Sequence, residues 1–136
     1  MSFTARSQPP ATAVPLDAAK LDVYTVALEF QSLAVGLLPP RRQAVLRDQL
    51  ERASLSIVLN IAEGTGRFAA ADKARFYSMA RGSATECGGI LDVLLARKLI
   101  TSIAHQRLHI LLVRIVAMLT KLHARMAEDA ARSTGE

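Results

Sequence analysis

The chain has no tryptophan, and its only aromatics are four Phe and two Tyr among 136 residues. That argues against an extended stacking surface for single-stranded nucleic acid. There is a single cysteine, Cys87, so no internal disulfide can form, and a reducing cytoplasmic setting is expected. The longest stretch free of acids and bases, Phe30–Pro40, is too short for a bilayer and is broken by Gly36 and two prolines, so no membrane association is expected. Met1–Leu16 lacks the apolar centre of a secretory signal. No segment alternates apolar and polar residues over a useful length, which argues against a sheet. A Gly-rich phosphate loop, a Ser-His-Asp order and Glu-x-x-His pairs are all missing. The expectation is therefore a non-enzymatic protein without cofactor or metal.

What is present is apolar and helical. Hydrophobic residues make up 51% of the chain, and 17 Lys and Arg against 12 Asp and Glu give a net charge of +5. The length suits one domain with one core. Residues 1–16 carry Pro9, Pro10 and Pro15 and read as a flexible arm. Residues 17–127 read as the domain. Asp17 can cap a first helix running to about Gly36, and a second is compatible with Pro40 near its start and ends at Gly64-Thr65-Gly66. A third covers about Ala70–Lys98. Thr101 or Ser102 caps a fourth reaching about Ala127, and residues 128–136 read as a frayed tail. Four long helices with short links predict an all-α antiparallel up-down bundle.

At about 100° per residue, Leu108, Leu111, Leu112, Ile115, Leu119, Leu122 and Met126 form the core face of the fourth helix. Ile110, Val113 and Ala117 lie away from it. On the first helix, Leu21, Tyr24, Leu28 and Val35 form one stripe and Val26, Phe30, Leu33 and Leu37 another. A helix apolar on two faces suggests burial on both, hence a homo-oligomer whose interface includes Val26, Phe30, Leu33, Ile110, Val113 and Ala117. Ser78, Gly82, Thr85 and Gly89 add a seam of small residues on the third helix. Close approach of another helix, or a bend at Gly88-Gly89, would each account for it.

Gln49, Arg52, Ser56, Asn60 and Glu63 share one stripe of the second helix, and Arg81, Ser83 and Glu86 sit on the third. These residues are expected to form an interhelical polar network, with Asn60, Glu63, Arg81 and Glu86 mostly buried and hydrogen-bonded between helices or across subunits, although the same groups can line a cleft. His105 and His109 are one turn apart, but their own helix offers no acid from Val93 to Ala127 to support a metal. That span holds six bases, and Arg107, Arg114, Lys121 and Arg125 fall within about 40° of one line. Such a stripe suits phosphate, unless acids of the first helix such as Asp22 and Glu29 neutralise it.

The run Gln49–Gly64, with its Asn60-Ile61-Ala62-Glu63-Gly64 core, resembles the signature of the four helix bundle proteins, which include the intervening-sequence proteins of large-subunit ribosomal RNA genes. Arg67, Arg75-Phe76-Tyr77, Ala80-Arg81-Gly82-Ser83-Ala84 and Glu86 resemble the family's second block. The resemblance implies an up-down bundle, a ring-like homopentamer as in relatives that include the accessory variability determinants of diversity-generating retroelements, nucleic-acid binding through basic surfaces, and no enzymatic activity. The retroelement role is not carried over. Ala69-Ala70-Ala71 departs from the family, in which a Ser tends to cap the third helix. Three functions stay open: a non-enzymatic oligomer binding RNA or DNA through the fourth helix, an oligomeric adaptor for another protein, and a small-ligand or metal protein.

Overall fold

The computed structural model describes residue 18, residues 21–38 and residues 43–135. The expected arm, the Asp17 cap and Pro40 lie outside the described residues. Those residues form four α-helices and no strand: α1 (Asp22–Val35), α2 (Ala44–Gly66), α3 (Ala70–Ala96) and α4 (Ser102–Thr134). α1 packs on α2 and α4, and α3 packs on the same two helices, so α1 and α3 are diagonal to one another. The result is a four-helix bundle around one core.

Each helix follows from its sequence. α4 begins where the Thr101 hydroxyl accepts a hydrogen bond from Ala104 N–H at 3.1 Å, which satisfies one of the free donors of the first turn. α3 begins at Ala69 without such a side-chain bond, as its alanine run requires. Just beyond the end of α3 the chain turns at Lys98, a non-glycine residue in the left-handed region (φ 58°). There Leu99 N–H reaches Leu94 O and Lys98 N–H reaches Leu95 O, both at 2.9 Å, which occupies carbonyls that the helix end leaves open. α2 retains helical geometry through Gly64 and Thr65 and stops at Gly66.

The core is aliphatic. Ile57, Ile61, Ile115 and Leu119 have no exposed surface, and full burial of each such side chain contributes about 1.5–3 kcal/mol. The buried face of α4 comprises Leu108, Leu111, Leu112, Ile115 and Leu119, as the helical spacing predicts.

Two expectations need correcting. Val26 and Phe30 are buried within the chain itself, alongside Val23, Ala27 and Ala34. The alanines complete an inward stripe, so the outward apolar residues of α1 are Leu28, Leu33 and Val35. The tail is also longer in helix than expected: α4 continues to Thr134, with Ala127, Ala130 and Ala131 favouring helix and Arg132 pairing with Asp129. α3 is continuous helix through Gly88-Gly89.

Candidate nucleic-acid interface

Arg107, Arg114, Lys121 and Arg125 are all exposed on α4. Eighteen residues of helix place the outer two about 27 Å apart. Among the described residues none of the four is in an ion pair; the pairs present are Arg47–Asp48, Arg67–Glu63, Arg75–Asp72, His105–Asp92 and Arg132–Asp129. Asp22 and Glu29 on α1 are exposed and likewise unpaired with the stripe. Beside the bases on α4, Ile103, Ile110 and Val113 are more than half exposed, and Ala117 is exposed too. Near the start of α4, Arg107 lines a shallow groove with Leu33, Gly36, Leu37, Ala104 and Leu108.

The polar stripe divides. Ser56 and Ser83 hydroxyls bond to each other at 2.9 Å across the α2–α3 contact. Asn60 donates its amide to the Ser56 carbonyl and hydroxyl at 2.9 and 3.0 Å. These three are half-buried, while Gln49, Arg52, Glu63, Arg81 and Glu86 are exposed. Burial of Glu63, Arg81 and Glu86 within one chain is thus not observed: their helical angles carry them past the contact to its rim. Glu63 pairs with Arg67, and Arg81 reaches α4, donating to the Thr120 hydroxyl at 2.9 Å.

Other contacts between elements escaped periodicity. His105 Nε2 lies 2.8 Å from Asp92 Oδ1, so the acid missing from α4 near His105 comes from α3, and His109 stacks on His105 with centroids 5.7 Å apart. Among the described residues no three His, Cys, Asp or Glu side chains converge in the manner of a metal site. His123 Nδ1 meets the Ala74 carbonyl at 3.0 Å. Cys87 is fully buried; desolvation, helped by the charge of Glu86, pushes its thiol up to about 12, so it stays protonated and unreactive near neutral pH.

The turn from α2 to α3 holds a second constellation. Gly64 is packed so tightly that an added Cβ would lie 2.9 Å from Phe76 Cβ and 3.0 Å from the Tyr77 ring. Lys73 donates to the Gly64 and Thr65 carbonyls at 3.3 and 2.7 Å, closing the end of α2. Thr65 and Tyr77 hydroxyls bond at 3.1 Å. The guanidinium groups of Arg67 and Arg75 lie 4.9 and 4.5 Å from the centroid of the Phe76 ring. Beside them Phe68 is fully exposed (102%), at the mouth of an open groove of about 550 Å³. A lone loop aromatic has no period, and nothing in the sequence set it apart.

A family model described as 23S rRNA-intervening sequence protein matches residues 19–121. The chain belongs to this family. The match takes in the Asn60–Gly64 run and the Ala80–Glu86 block, and covers all of α1, α2 and α3 together with most of α4. Gly64 of that run supplies the close approach just described, and Asn60 supplies the hydrogen bonds beside Ser83 of the second block. Comparison with curated proteins gives no match. Among the described residues no helix is long and apolar enough to cross a membrane.

Proposed function

We propose that this family member is a non-enzymatic homo-oligomer, a ring-like pentamer by the resemblance of its sequence, that binds RNA or DNA without strong sequence preference along α4. An antiparallel up-down arrangement is supported by the pairing of early α3 with late α4 (Ala74 with His123) and of late α3 with early α4 (Asp92 with His105). Assembly is supported by the outward Ile103, Ile110 and Val113, and by Gly82 and Gly89, around which added Cβ atoms would meet nothing within 4 Å. The observation that carries the binding reading is the line of four exposed bases without a carboxylate partner among the described residues. Repeated around a ring, weak phosphate contacts gain avidity.

The test is a titration of labelled RNA and DNA across a range of salt concentrations, with light scattering alongside. Each phosphate neutralised adds about −0.7 to −0.9 to the slope of log affinity against log salt. Arg114→Glu with Lys121→Glu should weaken binding strongly at unchanged mass. Ile110→Glu should reduce the assembly to monomers, because an unpaired charge would otherwise be buried. No retention of either nucleic acid at low salt, or a wild-type monomer at micromolar concentration, would overturn the corresponding half. The adaptor reading draws on the same aliphatic strip of α4; it is favoured instead if a protein partner is retained and charge reversal leaves that retention intact.

A further inference from the structure

The corner between α2 and α3 has chemistry that the stripe on α4 lacks. Phe68 is the most exposed large apolar side chain among the described residues, and its ring covers none of the bundle's core. A Phe left bare in this way is costly in water, so its surface is available to a flat apolar face. Two arginines of this corner already lie against an aromatic ring. Arg67 and Arg75 lie over the Phe76 ring while keeping 42% and 57% of their side chains exposed. Guanidinium planes and aromatic rings are the two surfaces on which unpaired bases stack. The groove shared by Phe68 and Arg67 is also lined by Ala62, Gly66, Ala69, Glu63 and Asp72, and its small residues admit a flat group.

Charge here is nearly balanced. Arg67 pairs with Glu63 and Arg75 with Asp72, and Lys73 is held by two carbonyls. Three cations face two carboxylates, so the corner attracts phosphate only weakly, and its affinity should come from stacking.

We infer that this corner is a stacking ledge for an unpaired nucleobase, with Phe68 as the platform and Arg67, which lines the same groove, as its flank. The inference rests on the nucleic-acid reading above and narrows it: single-stranded segments gain a contact that duplexes, whose bases are already stacked, do not. The two sites are separable by salt. The α4 stripe sets the salt slope, whereas the ledge shifts affinity at every salt concentration by the same factor.

Two variants of the full chain test it, with fluorescein-labelled oligo(dT) and a DNA duplex of equal length as probes. Phe68→Ala should weaken oligo(dT) binding about tenfold with an unchanged salt slope, and should leave duplex binding within about twofold. Phe68→Trp places the sole indole of the protein at the ledge. Its emission should resemble that of an indole in water and be quenched by oligo(dT) but not by duplex. Three results would overturn the ledge while leaving the α4 reading standing: oligo(dT) affinity unchanged by Phe68→Ala, emission unaffected by a bound strand, or a blue-shifted emission in the free protein, which would mean that another copy covers Phe68. Failure of the wild type to bind oligo(dT), duplex or RNA at all would overturn both readings together.

Discussion

Gly64 and Gly82 both interrupt helices that would prefer alanine, yet their surroundings are opposites. At Gly64 the side chains of Phe76 and Tyr77 fill the space a Cβ would need; at Gly82, and about two helical turns further on at Gly89, that space is open. The first glycine is explained inside one chain, as the price of bringing α2 against the start of α3. The second pair finds no such explanation there. Glycine in a helix interior costs about 1 kcal/mol relative to alanine whichever way it faces, and in the assembly proposed above a second copy would supply the compensation for the outward pair.

The comparison can be broken most forcefully at the inner site. Gly64→Ala should lower stability by about 1–3 kcal/mol, read from chemical denaturation, because the neighbouring atom is the stem of Phe76 and not the end of a flexible side chain. An unchanged midpoint would show that the α2–α3 turn yields more readily than its packing suggests. Asn60→Ala should cost about 1 kcal/mol. It removes two hydrogen bonds to Ser56, but leaves the Ser56 hydroxyl its partner Ser83, so no hydroxyl is stranded. A loss near that of Gly64→Ala would mean that Asn60 also serves a contact between subunits. The smallest effect, and of opposite sign, is expected from Gly82→Ala or Gly89→Ala: a gain of up to about 1 kcal/mol in the stability of the chain. If the seam meets a second copy, the same substitutions should weaken assembly by light scattering; if mass is unaffected while stability rises, the seam is not an interface.

Legibility in the sequence followed the same divide between inside and outside. The inward face of α4 could be read residue by residue, because Leu and Ile at three- and four-residue spacing leave one reading. α1 was harder. Counting only large apolar residues splits its surface in two, and Ala27 and Ala34, which complete the buried stripe, carry little weight in such a count. The polar stripe was legible as a stripe, but the distinction between Ser56 at the contact and Glu63 at its rim depends on how α3 crosses α2. Phe68 and Asp92 could not be found at all from periodicity. One sits in a turn, and the other acquires its meaning from a histidine on a different helix. The end of α4 lacked an apolar pattern, and there helix propensity supplied by alanine was the signal passed over.

The left-handed turn at Lys98 also has a bearing on the order in which the bundle is made. Its backbone bonds and the Thr101 cap join α3 to α4 through residues 97–101, so the longest two helices meet after closing a very short loop. Contacts between chain neighbours are reached quickly, since little chain entropy is lost in closing them. The α3–α4 hairpin is thus a natural folding nucleus, onto which α2 can dock through Gly64 and Ser56. Among the described residues the shortest helix, α1, with fourteen residues, bridges α2 and α4 and sits diagonally across the core from α3. It should be the last element to settle and the first to open, which gives the bundle a graded order of opening in hydrogen exchange that its uniform helical appearance conceals.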